Sequence, residues 1–119
     1  MGNNVRYSNG AARRKVRQRL KTEGRGCWIC RMFGRPDAIN YDLPPGHPDS
    51  FEVDELVPVS RYREGNYPSK QACALDYKNL DATHRRCNLW RGNKSVNEVA
   101  RIARGMKQQR DTLPQPWGF

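Results

Sequence analysis

Three cysteines and a histidine are the residues of this sequence whose spacing most directly indicates chemistry. Cys27 and Cys30 form a C-x2-C pair, and His84 and Cys87 repeat that spacing further along the chain. Two intervening residues let one tight turn direct both side chains at one tetrahedral ion, and two such turns complete a closed site. The sequence therefore predicts a structural zinc site of three thiolates and one imidazole, with no position left for water.

Two other interpretations of these cysteines stay open. A C-x2-C pair also occurs in redox proteins, although the βαβ pattern that surrounds such a pair is missing here. Cysteines are also often buried and inert. The fourth cysteine, Cys73, has no partner at ligand spacing. We interpret it as a small buried apolar residue, with a replacement of His84 as the fourth ligand as the alternative.

A second candidate site lies in the stretch FEVDELVP, which places Asp54 beside Glu55 within an apolar run. Hard divalent cations prefer oxygen ligands, so the two acids could serve a cation. Successive side chains of a regular strand point to opposite faces, so both acids reach one ion only if the strand ends or bulges there. The nearby Pro58 favours an early end. The alternative is a strand with two solvated acids.

The net charge of +10 is unevenly distributed. Residues 1–26 hold eight Lys or Arg and one Glu, residues 31–84 hold six basic and nine acidic residues, and residues 85–119 hold eight and two. Basic ends favour a polyanion, nucleic acid ahead of membrane, because each cation that meets a phosphate releases a counterion. No stretch approaches the roughly 18 apolar residues of a membrane span, and the N-terminus lacks the apolar core of a signal peptide. We therefore expect a cytoplasmic protein with reduced cysteines.

The apolar pattern predicts a small α+β domain with long loops. A chain of 119 residues has a modest core and often needs a bound metal as a staple. The expected elements are helices over residues 11–23, 84–91 and 96–109, strands over 51–57 and 78–83, and loops over 34–50 and 60–77. The expected divisions are a basic N-terminal tail or helix at 1–25, a domain at 26–110 and a C-terminal tail at 111–119.

Capping residues support two of these helices. Thr83 is expected to cap the helix that begins near residue 84, and Ser95 with Glu98 forms a capping box for the last helix. Residues 1–10 are expected to be disordered, and the tail is expected to dock through Trp117 and Phe119.

The order of the motifs resembles that of the HNH endonucleases, the zinc-bearing branch of the ββα-metal (His-Me finger) nucleases. C-x2-C is followed by V-D-E-L-V-P, by N-L-x3-H-x2-C-N and by R-G-N-K, over about residues 26–95. The likeness is closest to the small HNH proteins that tailed phages encode near their packaging genes. It implies a zinc-stabilised ββα-metal fold and a metal-dependent DNA endonuclease that nicks with little sequence preference. It also implies terminase or other packaging proteins as partners.

The resemblance implies roles for individual residues. Asp54 and Asn88 match the ligands of a catalytic Mg²⁺ or Mn²⁺, and Asn79 matches the asparagine that orients the catalytic base. His84 matches a zinc-binding position that is usually Cys. The residues expected at DNA phosphates are Arg85, Arg86, Arg91 and Lys94.

Glu55 departs from the family pattern, which has a His there as general base. An unperturbed Glu has a pKa of about 4.3 against about 6.5 for His, and a base works best near its own pKa. Glu55 is expected to act as the base or to join the cation's ligands, with His47 on the upstream loop as a further candidate base. The alternative functions are a catalytically weak, zinc-stabilised DNA-binding module or adaptor and a zinc ribbon that binds only protein.

Overall fold

The protein is a small α+β domain with one antiparallel sheet. The structure, a computed structural model, describes residues 10–112, with side chains as far as Met106. Its elements in chain order are α1 Gly10–Glu23, α2 Trp28–Met32, β1 Phe51–Glu55, α3 Lys70–Leu75, β2 Leu80–His84, α4 Arg85–Arg91 and α5 Val96–Thr112. Two 3₁₀ segments, Val59–Gly65 and Tyr77–Asn79, flank α3. The expected N-terminal disorder and the docking of Trp117 and Phe119 concern segments that lie outside the described residues.

The sheet places the two adjacent acids of β1 on opposite faces, with Glu55 on the face of the apolar residues. β1 pairs with β2 in one regular register, with Phe51 opposite His84 and Glu55 opposite Leu80. Within residues 10–112 the sheet has two strands, so β1 keeps one unpaired edge. Since strand side chains alternate, Phe51 and Val53 share one face and Asp54 lies on the other.

Each face of the sheet is covered by a different part of the chain. On one face, Val16 and Leu20 of α1 pack against the apolar residues of both strands. The second core cluster joins α2 to α5 through residues such as Trp28 and Val99. The segment expected as a basic tail therefore contributes a buried leucine to the core.

Several expected elements are confirmed with shifted ends. The first strand stops at Glu55 rather than at residue 57, and the last helix continues to Thr112. The capping box is present, because the Ser95 N–H donates to Glu98 Oε1 at 2.7 Å and the Glu98 N–H donates to Ser95 Oγ at 3.1 Å. None of the described helices is long and apolar enough to cross a membrane.

Two expectations about local structure are wrong. The predicted loop at 60–77 contains most of a 3₁₀ segment and all of α3, because Ser69 Oγ accepts from the Ala72 N–H and Cys73 is buried against the body. Thr83 does not cap α4. It lies inside β2 and its hydroxyl donates to the Glu52 carbonyl, which leaves His84 at the cap position.

Removal of the buried side chain of Leu20 tests whether α1 belongs to the core. Leu20 is fully buried, so Leu20→Ala should lower the free energy of unfolding by about 2–5 kcal/mol. The measurement is denaturant unfolding, with Lys21→Ala on the exposed face of the same helix as the control. An equal, small loss in both variants would contradict the packing of α1.

Candidate functional site

The four predicted zinc ligands converge in the structure. Cys27 precedes α2, Cys30 lies in it, His84 ends β2 and Cys87 lies in α4. All four are buried, and their ligand atoms lie within 4.8 Å of one another. Cys27 Sγ also accepts from the Cys30 N–H at 3.5 Å, so the start of α2 holds the first thiolate in place.

Three of the distances between ligand atoms, 3.4, 3.7 and 3.9 Å, are close to those of a tetrahedral zinc ion. Zinc bonds of about 2.0–2.3 Å separate neighbouring ligand atoms by about 3.5–3.8 Å. Cys30 Sγ lies 3.7 Å from Cys87 Sγ and 3.4 Å from His84 Nδ1. His84 Nε2 donates to the Ala38 carbonyl at 3.0 Å, which fixes the ring and leaves Nδ1 for the metal. The cluster could therefore hold zinc.

Neighbouring arginines and hydrogen bonds between the thiols determine the electrostatics of the cluster. Arg35 Nε lies 3.4 Å from Cys30 Sγ, and Arg86 approaches Cys87 Sγ at 3.8 Å, which offsets thiolate charge. The hydrogen bond from the Cys87 thiol lowers the pKa of Cys27 to about 4, while donating that bond raises the pKa of Cys87. A bound cation replaces the protons, so metal binding releases them.

Cys73 lies apart from the cluster, as a small buried residue. Its thiol donates to the Val57 carbonyl at 3.3 Å. Burial raises the pKa of Cys73, as expected for an inert thiol. The fourth converging ligand is His84 rather than Cys73.

A cavity of about 670 Å³ runs along the unpaired edge of β1. Side chains from both faces of the strand border it, because the strand ends at Glu55 and its edge is open. The lining includes Glu52, Asp54, Glu55 and Asn88 together with Arg13 and Arg17 of α1. Asp54 and Glu55 both lie within the regularly paired strand, so the two adjacent acids border the cavity from opposite faces.

Asp54 is a buried carboxylate with two donors on one oxygen. Its Oδ2 accepts from Trp28 Nε1 at 2.9 Å and from Arg91 Nη1 at 2.6 Å. Burial raises the pKa of Asp54, while Arg91 and Trp28 oppose that rise. Both hydrogen bonds fall on Oδ2, and together they fix the orientation of the carboxylate beside the cavity.

Arg91 is fully buried, which contradicts its expected contact with DNA phosphate. Besides Asp54, its guanidinium donates to the carbonyls of Glu55, Leu56 and Lys94. Arg91 faces inward from α4 because Asp54 and these carbonyls are hydrogen-bond acceptors that its guanidinium satisfies. Arg91 fastens the end of β1 to α4.

Asn79 holds the backbone that follows Glu55. Its Oδ1 accepts from the Val57 N–H at 2.8 Å, and its Nδ2 donates to the carbonyls of Val57 and Cys73 at 3.1 Å. The Leu56 N–H also donates to the Asn79 carbonyl. This buried amide is therefore in a position to orient the chain beside Glu55.

Glu55 lies against α1. It is 4% exposed, and its Oε2 lies 3.3 Å from Arg13 Nη1. Arg13 also donates to the Ala74 carbonyl at 3.2 Å. The partner of the second acid is therefore an arginine of the N-terminal helix.

Glu52 links Asn88 to a basic residue. Asn88 Nδ2 donates to Glu52 Oε1 at 3.0 Å, and Arg85 Nη1 donates to Oε2 at 3.0 Å. Asn88 thus borders the cavity with its amino group engaged by Glu52. Among the described residues, Cys27, Cys30, His84 and Cys87 are the only His, Cys, Asp or Glu group whose ligand atoms converge, so the acids of the cavity form no second cluster.

The remaining predicted residues lie at the surface. Arg86 is exposed and paired with Asp49, and Lys94 Nζ donates to the Trp90 carbonyl at 3.0 Å near the end of α4. His47 is exposed on the upstream loop, where its Nδ1 accepts from the Asp49 N–H. Arg85 is partly exposed, and its guanidinium is paired with Glu52.

Sequence reasoning missed three residues of the site. Trp28 lies between the first two cysteines, Glu52 lies two positions before Asp54 on the same strand face, and Arg13 is the first basic residue of α1. Because side chains alternate along a strand, the sequence could have predicted that Glu52 lies on the same face as Asp54. The contacts of Trp28 and Arg13 depend on tertiary packing.

No protein-family model, curated protein or solved structure matches this chain.

Loss of one cluster cysteine should remove the metal. We expect Cys27→Ser to lose one equivalent of zinc by elemental analysis and to unfold at a lower temperature, because bound zinc contributes to folding. Cys73→Ser is the matched control, since Cys73 is equally buried and lies outside the cluster. Full zinc content in Cys27→Ser would refute the assigned ligand set.

Loss of Arg91 should be costly because it leaves a buried carboxylate. We expect Arg91→Ala to lower the free energy of unfolding by about 3–5 kcal/mol, as for other broken buried ion pairs. Arg86→Ala should cost no more than about 1 kcal/mol, since the Arg86–Asp49 pair is half exposed. Similar losses in urea titrations would count against the buried clamp.

Proposed function

We propose that this protein is a metal-dependent DNA endonuclease of the HNH type. The observation that carries the proposal is the cavity, whose lining includes Asp54, Glu55 and Asn88 together with Arg13 and Arg17. The order β1, β2, α4, with the metal cluster at the β2–α4 junction, supports a ββα-metal unit. A role in phage DNA packaging rests on the order of the sequence motifs.

The donor atoms of the cavity fit a hard cation such as Mg²⁺ or Mn²⁺. Asp54 and Asn88 would hold it through their Oδ1 atoms, because their other polar atoms are engaged by Arg91, Trp28 and Glu52. Such an ion supplies Lewis-acid stabilisation of charge on a scissile phosphate.

The other residues of the cavity act on water and phosphate. Glu55 accepts a proton from a water molecule, whose oxygen bonds to phosphorus while the bond to the 3′-oxygen breaks. Solvent protonates the leaving 3′-oxygen, which gives a 3′-hydroxyl and a 5′-phosphate. Asn79 fixes the backbone beside Glu55. Arg13 and Arg17 bring positive charge to the cavity, which otherwise carries three carboxylates.

A second candidate function is DNA binding without cleavage, on the same scaffold. It is favoured by one observation: Arg91 and Arg13 already lie against the two acids that the reaction needs. In that case the acids stabilise the fold and the cavity binds phosphate without hydrolysis.

The test is nicking of supercoiled plasmid by the zinc-loaded protein, with and without added Mg²⁺ or Mn²⁺, across a range of pH. We expect divalent-dependent nicking that falls about 10²–10⁴-fold in Glu55→Gln, the usual effect of losing a general base. Glu55→His should retain or raise the activity, because imidazole titrates nearer neutral pH.

Asn88→Ala should abolish nicking while zinc content and the melting temperature stay unchanged. Asn93→Ala is its matched control, because Asn93 is an exposed amide on the same cavity. Wild-type DNA binding without nicking, together with cleavage in Glu55→His, would replace the nuclease by the binding module.

A further inference from the structure

The basic residues of α1 divide into two sets by their partners. Arg13 lies against Glu55, and Arg19 pairs with Glu23 at 3.2 Å, so these two arginines face carboxylates of the protein itself. The exposed residues Arg14, Arg17 and Lys21 recur at intervals of three and four. Residues at these intervals share one side of a helix.

This side of α1 lines depressions that join the candidate active cavity. The cavity of about 670 Å³ shares Arg17 and Glu52 with a depression of about 420 Å³. That depression shares Arg17, Tyr41 and Phe51 with a third, of about 310 Å³. The third is lined by Arg14, Arg17, Gln18, Lys21, Tyr41 and Phe51, none of which is acidic. The three depressions therefore adjoin one another along this side of α1, with Arg17 bordering all of them, and together they are called the groove.

Arg17 is held at this junction by aromatic packing. Its guanidinium carbon lies 4.8 Å from the centre of the Phe51 ring, and Phe51 packs against Tyr41 with ring centres 4.7 Å apart. The Tyr41 hydroxyl donates to the Arg25 carbonyl at 2.6 Å. Arg17 is therefore positioned by Phe51, the first residue of β1, and through Tyr41 by the turn after α1.

We infer that this groove carries the DNA strand away from the cleavage site, with Arg14, Arg17 and Lys21 on successive phosphates. The inference rests on the proposed function for the position of the scissile phosphate. The charge of the third depression complements a polyanion, and Glu52 at the junction is already engaged by Arg85 and Asn88.

The length of the basic row fits a few nucleotides. Arg14 and Lys21 are seven positions apart, which corresponds to about 10 Å of helix at about 1.5 Å per residue. One DNA strand carries a phosphate about every 3.4 Å along its axis. The row therefore spans about three nucleotides, and the contacts are independent of sequence because they are made to phosphate.

The test is the salt dependence of binding to a fluorescent 20-base-pair duplex without divalent ions, so that cleavage does not interfere. The variant is Arg14→Gln/Lys21→Gln. Its matched control is Arg101→Gln/Arg104→Gln, which removes the same charge from exposed positions of α5. Loss of two phosphate contacts should lower the slope of log affinity against log salt by about 1.8, and the control should keep the wild-type slope.

Equal slopes in the two double variants, whether both lowered or both unchanged, would overturn the groove. Failure of the wild-type protein to bind the duplex would overturn it as well. The plasmid assay separates this inference from the proposed nuclease. Nicking by the wild type with an unchanged slope in the α1 variant rejects only the groove, whereas an α1-dependent slope without nicking under any condition rejects only the nuclease.

Discussion

The convergence of Cys27, Cys30, His84 and Cys87 is the constraint on which the rest of the structure depends. Cys30 and Cys87 are 57 positions apart, and their sulfurs lie 3.7 Å from each other. Structural zinc sites in small peptides contribute about 10–16 kcal/mol, which matches the whole stability of about 5–15 kcal/mol of an ordinary domain. Because His84 ends β2 and Asn88 follows Cys87, the same cluster sets where the cavity residues of α4 lie.

The buried ion pair of Asp54 and Arg91 connects the fold to the candidate site. A carboxylate that is 5% exposed requires a compensating charge, and Arg91 supplies it on one oxygen only. The same guanidinium ties down the carbonyls of Glu55 and Leu56, where the strand ends. One arginine therefore orients Asp54 and fixes the backbone of Glu55. The tightness of this clamp is also the physical basis of the competing role as a pure binding module.

Local signals predicted the features that depend on short spacing, and tertiary contacts decided the others. The two pairs of candidate zinc ligands, the Ser95–Glu98 capping box and the amphipathic α1 each follow from residues within a few turns of the chain. The sequence did not predict that Arg91 faces inward. A basic residue in a Lys/Arg-rich segment is expected at the surface, and only the tertiary structure shows that Asp54 lies opposite it. The sequence did not predict the 3₁₀ segment and α3, because Gly65, Pro68 and their polar neighbours are typical of a loop. Burial of Cys73 and Ala74 nevertheless stabilises the helix.

The open edge of β1 resolves the tension between strand geometry and two adjacent acids. Alternation sends Glu55 toward α1 and Asp54 toward α4, so no cavity on a single face could collect both. A cavity on the edge collects side chains from each face, and it does so where the strand stops. Unpaired edges ordinarily attract other strands, and charged side chains oppose that pairing. Here Glu52, Asp54 and Glu55 lie beside Arg13 and Arg17 along this edge, and these charges oppose the pairing of a further strand.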